Sequence, residues 1–292
     1  MSKFTFKMLF RSIKASLGRF LAILAIIALG VGLFAGLKSS QPAMQTTVND
    51  YMHDNRMYDF QLLSSLGLTE SDRAAFSQLD GVEYAEGAYF ADAMASIGKT
   101  DEPYKFMSIT ENVSVPLLVA GRMPKNSGEC LADAGAFSEK DIGKTLTLDE
   151  DNAEDTLKMF TERSFRIVGI AKTPRYISND RGSTSLGSGS IKGFVLLPAS
   201  AFDSEAYHEI LLSCGFDGEL SSDEYNAERD RLKPRIQQLL NRCGVRRYDA
   251  LRADADKELE EAQQEINDGW SEYYANEAAA LGQINEGLAQ IE

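Results

Sequence analysis

Apolar side chains recur at Phe6, Leu9, Phe10, Ile13 and Leu17, the spacing of one helix face, with Lys7, Arg11 and Lys14 largely off that face. A helix so divided is suited to lie flat in a headgroup region. The pattern then becomes an unbroken apolar run, FLAILAIIALGVGLFAGL, from Phe20 to Leu37. Its 18 positions span roughly 27 Å as a helix, close to the thickness of a hydrocarbon core. A cleaved signal peptide would have an apolar region of only about 7 to 15 residues and a shorter leader. The run is therefore expected to be a transmembrane anchor, and Gly30, Gly32 and Gly36 within it suit close packing against other membrane helices.

Beyond a polar stretch the period changes to that of strands. Tyr58–Leu63 is the first expected strand, and Thr69 with Asp72 three residues later predicts a capping box that opens a short helix through Leu79. Further strands are expected over Val82–Ile97, Tyr104–Ile109, Thr145–Leu148, Phe165–Ala171, Gly193–Leu197 and Glu209–Cys214, with little helix between them. The fold class expected is α+β, with a mixed or antiparallel sheet. Between Thr173 and Gly193 the segment rich in Gly and Ser reads as an exposed, mobile loop, either a flexible connection or a contact loop for a partner or cargo.

After Ser221 the chain turns polar and helix-forming. Ile236, Leu239, Leu240 and Cys243 mark one helix face after Pro234, and Gly244 is expected to end that helix. A longer second helix is expected from about Tyr248 to Glu292. Its apolar positions Leu259, Ala262, Ile266, Trp270, Tyr273, Leu281, Ile284, Leu288 and Ile291 form a coiled-coil-like seam, broken near Glu277. The octet from Ile266 to Tyr273 recurs from Ile284 to Ile291 at an offset of 18 residues, which is five whole turns and returns to the same face. The seam would need a returning helix or a second subunit as partner, and the sequence reads as continuing past Glu292.

Charge orients this layout. Residues 1–19 hold five basic and no acidic side chains, whereas the remainder holds 25 basic and 44 acidic ones. Basic residues beside a span favour the cytoplasmic side, so the N-terminus is expected inside and residues after about 38 outside. The acidic outer part argues against nucleic acid as a partner. Between Asp254 and Glu292 there are 11 acidic residues against Lys257 alone.

Sequence signals for chemistry are few. Gly143-Lys144-Thr145 and Gly98-Lys99-Thr100 resemble the end of a phosphate loop, but the required earlier glycine is Ser138 in one case and Ala93 in the other. His53 and His208 stand far apart without a cysteine ligand pair, and there is no Gly-x-Ser-x-Gly elbow. Asn112-Val-Ser114 matches a glycosylation triplet in form only. Cys130, Cys214 and Cys243 leave open whether one pair is oxidised. No catalytic, cofactor or metal residue is expected, and the chain does not read as an enzyme.

The order of these features resembles the N-terminal part of FtsX-like (MacB-like) ABC transporter permeases, particularly large bacterial forms with a coiled-coil insertion outside the cell. The matching residues are KMLFRSIKASLGRFLAILAIIALGVGLFAGL, then AGRMPKNSGECLADAGAF from Ala120 to Phe137, which holds a Gly-Arg-x-Pro element. Asp141-Ile-Gly, Thr145-Leu-Thr-Leu148, Phe165-Arg-Ile-Val-Gly-Ile170, Pro174-Arg-Tyr-Ile177 and Arg181-Gly182 continue the pattern over nearly the whole chain. The motif residues Gly121, Arg122, Pro124, Gly143, Gly169, Tyr176, Arg181 and Gly182 read as structural, with Gly121 and Pro124 suited to a turn that Arg122 ties down.

The resemblance implies residues 1–19 as a cytoplasmic amphipathic helix, 20–37 as a span, 45–220 as an extracellular core domain and 221–292 as a helical, coiled-coil-like segment. It implies a bacterial plasma-membrane permease subunit that couples a separate cytoplasmic ATPase to an outer domain, for export or mechanical signalling of a lipid, peptide or lipoprotein. ATP would bind only that separate subunit. The partners would be the lipid bilayer, the ATPase, and further membrane helices or a second copy. Such permeases have at least four spans, and the alternative is a single-pass sensor or adhesion protein whose coiled coil binds an extracellular partner.

Overall fold

The structure, a computed structural model, describes residues 3–98, 100–216, 219–220 and 222–289, leaving aside the side chains of residues 3–6, 9 and 287–289. Phe6 and Leu9 of the first helix face, Lys99, Ser221, and Leu288 and Ile291 of the seam therefore lie outside what is described.

Helix α1 (Lys3–Ala15) leads through Ser16 into α2 (Leu17–Asp54), which contains the apolar run. Among the described residues α2 is the one helix long and apolar enough to cross a membrane. It does not stop where the apolar run stops: 17 further residues, from Lys38 to Asp54, remain helical across Pro42. The hydroxyls of Ser39 and Ser40 donate to the carbonyls of Gly36 and Leu37, which suits their presence inside a helix.

The part that follows α2 is built on two sheets. Strands β1 (Phe60–Leu68), β2 (Tyr84–Ala88) and β10 (Tyr207–Ser213) form an antiparallel sheet of order β1-β10-β2. The other seven strands are β3 (Phe90–Ser96), β4 (Asp101–Ser108), β5 (Leu117–Gly121), β6 (Glu129–Asp133), β7 (Thr145–Leu148), β8 (Ser164–Lys172) and β9 (Gly193–Leu197). They run in the order β5-β8-β6-β9-β4-β3-β7, and β7 also bonds the first half of β8. The larger sheet thus curls back on itself. Two of its pairings, β4 with β9 and β6 with β8, are parallel, and the rest are antiparallel. The α+β class with a mixed sheet is what the patterning predicts. The expected strand over Val82–Ile97 is two strands in different sheets, because the chain turns at Tyr89, whose N–H donates to Ser108 Oγ. Strands β5 and β6 and the short helix α4 (Glu154–Lys158) were not among the expected elements.

Phe106, Phe165, Ile167, Val195 and Leu146 fill the interior of the curled sheet, with Phe160 and Phe202 packed against them. A second core lies between the small sheet, helix α3 (Glu70–Ser77) and the base of helix α5 (Asp223–Ala289). It contains Leu62, Leu68, Phe76, Ile210 and Leu212, together with Leu232, Ile236 and Cys243 of α5. The predicted capping box is present: Asp72 N–H donates to Thr69 Oγ1 at 3.3 Å, and Asp72 accepts from Thr69 N–H at 2.8 Å.

Helix α5 corrects the expectation of two helices divided at Gly244. It is one helix of 67 residues. Gly244 has no positive φ, and the helix is held to the body on both sides of it. Cys243 is buried, Arg246 donates to Asp72 at 2.5 Å, and Arg247 donates to Leu66 O at 3.4 Å. Tertiary contacts thus outweigh the helix-stopping tendency of a single glycine. From Tyr248 to Glu286 every residue of α5 is exposed.

All three cysteines are free and buried.

Candidate functional site

The C-terminal end of α2 meets the domain through a turn built on backbone bonds. Asn55 donates to Tyr51 O through both its N–H (3.2 Å) and its side-chain amide (2.7 Å), and Met57 N–H donates to Met52 O at 2.9 Å. Arg56 adopts a left-handed backbone, φ 48°, which breaks the helix and aims its carbonyl into the domain. There Ser114 N–H donates to Arg56 O at 2.6 Å and Val115 N–H to Asn55 O at 3.0 Å, while Ser114 Oγ accepts from Tyr58 N–H at 3.2 Å. The carbonyls of the two residues that follow α2 are therefore satisfied by one turn of the domain.

That turn is itself held. The Glu86 carboxylate, on β2, accepts the N–H groups of Glu111 (2.7 Å), Asn112 (2.9 Å) and Val113 (2.9 Å). Three hydrogen bonds to one carboxylate fix a segment that would otherwise be an open loop. Sheet, turn and helix end form one connected unit.

The next link reaches α5. Asp59 donates its N–H to Leu212 O at 2.8 Å, and its carboxylate accepts from Cys214 N–H at 2.6 Å and Tyr225 Oη at 2.7 Å. Burial raises the Asp59 carboxyl above its usual range although these bonds oppose the rise. Tyr225 is raised in turn, by burial and by its bond to Asp59. A cavity of about 760 Å³ opens between the helix end and the base of α5, lined by Met52, Arg56, Glu83, Tyr84, Phe216 and Tyr225 among others. Within this lining the Arg56 guanidinium lies over the Tyr84 ring, 5.3 Å from its centre. Among the described residues no group of three metal-ligating side chains comes together.

The motif residues singled out in the sequence lie elsewhere, in two groups. Gly121 and Gly169 face each other where β5 crosses β8. Gly121 has φ 82°, and a side chain there would collide with Val168 O and Gly169 Cα. A side chain on Gly169 would stand 2.7 Å from Arg122 O. Arg122 forks onto Glu129 at 2.7 and 2.5 Å, across the turn that holds Pro124, and Lys125 N–H adds a third bond to Glu129 at 2.9 Å. Gly143, at φ 93°, donates its N–H to Ile167 O on β8.

The Arg122 guanidinium, then the Lys125 N–H, hold the Glu129 carboxyl down at about 2, against an ordinary 4.5. Because the folded value lies below the unfolded one, this turn contributes its full stability above about 4.5 and loses it as pH falls towards 2. A carbon-13 carboxyl titration by NMR is expected to place Glu129 near 2, and Arg122→Gln to move its midpoint most of the way back to 4.5. An unchanged midpoint in the variant would show that Arg122 is not what holds the turn.

Tyr176, Arg181 and Gly182 form the second group, within the segment expected to be an open, mobile loop. Residues 173–182 are instead fixed to the large sheet. Arg181 pairs with Asp133 at 2.6 and 2.9 Å, with its side chain 8% and that of Asp133 2% exposed. Its guanidinium also lies over the rings of Tyr176 and Phe194, which stack on each other at 5.7 Å. Arg175 Nη1 stands 2.7 Å from Oε1 of the fully buried Glu209 of β10. The first half of the segment therefore ties the large sheet to the small one, while the Gly- and Ser-rich second half is largely exposed and closes on itself through Thr184 N–H to Gly189 O and Ile191 N–H to Gly182 O. Asp59, Glu86 and Tyr225, which help to build the junction, belong to none of the motifs singled out in the sequence, and Ser114 entered there only as the end of a glycosylation triplet.

No protein-family model matches the chain, and no curated protein matches it. Among solved structures the chain is similar to the periplasmic region of MacB from Actinobacillus actinomycetemcomitans, at 16% identity over 63% of this chain and 77% of that one, with a TM-score of 0.37. It is likewise similar to the extracellular domain of the noncanonic ABC-type transporter YknZ from Gram-positive bacteria, at 14% identity over 61% of this chain and 84% of that one, with a TM-score of 0.36.

Proposed function

We propose that this chain is the N-terminal part of an FtsX-like, MacB-like permease subunit in a bacterial plasma membrane. In this reading α1 lies on the cytoplasmic face, α2 crosses the bilayer, residues 45–220 form the outer core domain, and 221–292 begin a helical extension. A separate cytoplasmic ATPase supplies the energy and binds the nucleotide, and this chain carries no cofactor or catalytic group of its own. The cargo or signal belongs to the class of lipids, peptides or lipoproteins. The observation that carries the proposal is the continuous connection from α2 through the Glu86-held turn and Asp59 to Tyr225 of α5. It joins the only bilayer-length apolar helix of the described residues to the outer domain without a flexible tether. The sequence motifs supply the family.

Two measurements test it. The full chain, captured from its native membranes in mild detergent, is expected to bring with it a vanadate-sensitive ATP hydrolysis; capture without any such activity would remove the permease reading and leave the single-pass one. Orientation is read with an impermeant maleimide, since the three natural cysteines are buried. In intact cells Asp101→Cys is expected to label and Ser12→Cys to stay protected until the cells are opened.

A further inference from the structure

The cavity at the junction, about 760 Å³, falls within the size range of small-molecule sites. Part of its wall is apolar. Phe216 and Tyr225 meet edge-to-face at 83° with ring centres 5.4 Å apart, and Tyr84, Met52 and Met57 extend the same lining. The rest is dominated by acid: the lining holds the carboxylates of Asp50, Asp59, Glu83 and Glu219 against one guanidinium, that of Arg56, beside His53.

Arg56 does not neutralise these acids. Its guanidinium lies over the Tyr84 ring and pairs with no carboxylate among the described residues. Glu219 accepts from the Asn49 side-chain amide at 3.1 Å, and Asp59 is held by Cys214 and Tyr225. The Glu83 carboxylate has neither an ion pair nor a hydrogen bond among the described residues, although it lies so close to Gly215 that a side chain there would meet its Oε1 at 2.5 Å. Burial raises the Asp59 carboxyl, and the charge of Glu83 adds to that rise, so the two acids oppose each other across one wall. A cation between them would relieve this, and aromatic faces attract cations as well. The walls exclude a bare metal ion as the fitting occupant, because no three ligating side chains converge among the described residues and rings and thioethers offer no oxygen ligands. We propose that the cavity binds an organic ammonium ion carried on an apolar body, with the charged head at Glu83 and Asp59 and the body against Phe216, Tyr225 and the two methionines. This rests on the geometry of the junction and not on the permease reading, which no outcome of the test below would alter.

The test uses the full chain in detergent and three probes built on one phenyl ring: phenethylammonium, phenethyl alcohol and phenylacetate, each titrated by isothermal calorimetry. The ammonium is expected to bind with a dissociation constant below about 1 mM, at least about tenfold more tightly than the alcohol, and to weaken as salt is raised. Phenylacetate is expected not to bind. Glu83→Gln, at an exposed position, is expected to weaken the ammonium about fivefold or more and to leave both the alcohol and the melting temperature unchanged. Phe216→Leu is expected to weaken ammonium and alcohol together, which separates the wall from the charge. Because each variant is read in the same detergent as the parent chain, uptake of a probe by micelles cancels. Equal binding of ammonium and alcohol, binding of no probe, or a preference for the ammonium that survives Glu83→Gln would overturn the proposal. Tighter binding of phenylacetate would overturn it too, naming Arg56 as the group that selects the ligand.

Discussion

Gly121→Ala is expected to destabilise the two-sheet domain by about 3–5 kcal/mol, in the range of the most damaging single substitutions. Two costs combine. At φ 82° an alanine backbone is strained by about 1–3 kcal/mol, and the new methyl group would collide with Val168 O and Gly169 Cα. The obstructing atoms are backbone, so relief requires β5 and β8 to separate. The register leaves little freedom for that, since Gly121 pairs with Gly169 and Arg122 N–H donates to Val168 O at 3.0 Å. Gly143→Ala separates the two terms, because Gly143 has φ 93° with nothing within 4 Å of an added Cβ; its cost is expected to be only about 1–2 kcal/mol. Thermal unfolding followed by circular dichroism should therefore show a melting point about 10 °C lower for the first variant and a few degrees lower for the second. Equal shifts would mean that the close approach of the strands adds nothing to the backbone strain.

Arg181→Met is the second large effect expected, at about 3–5 kcal/mol. The side chain removed is 8% exposed and its partner Asp133 2%, so the substitution strands a buried carboxylate. The methionine keeps most of the packing over Tyr176 and Phe194, which isolates the loss of charge. In the double variant with Asp133→Asn the stranded charge is gone, and part of the stability is expected to return. Gly135 N–H, which donates to Asp133 at 2.8 Å, keeps an acceptor in that variant. A double-mutant cycle should show a coupling of about 2–3 kcal/mol between the two positions. A coupling near zero would place residues 173–182 among segments that merely lie on the sheet.

The elements legible from sequence are those whose cause is local. The Thr69–Asp72 capping box, the apolar helical run, β7 and β9 all follow from neighbouring residues alone, and α3 begins where the box predicts. Strands β5 and β6 escaped for the opposite reason. β5 leaves Leu117, Leu118 and Val119 all exposed instead of alternating, and β6 is ECLAD, with four of its five residues buried and no polar face to mark a period. The junction was illegible because its bonds cross large separations in sequence: Asp59 to Tyr225 spans 166 residues, and Ser114 to Tyr58 spans 56. Gly244 misled because a lone glycine marks a helix end only where no tertiary contact carries the helix past it. Arg181 and Asp133, 48 residues apart, turn what composition describes as a linker into a strap.

The docked base and free length of α5 together make a lever. Its base is fixed through Leu232, Ile236, Cys243 and the Arg246–Asp72 bond, while the residues from Tyr248 to Ala289 extend for about 60 Å. A tilt of the base by about 6°, no more than the rearrangement of a few side chains, would carry the far end through about 6 Å. Small angular changes delivered at the base, where Asp59 meets Tyr225, would thus be enlarged into displacements as wide as a strand spacing at the tip.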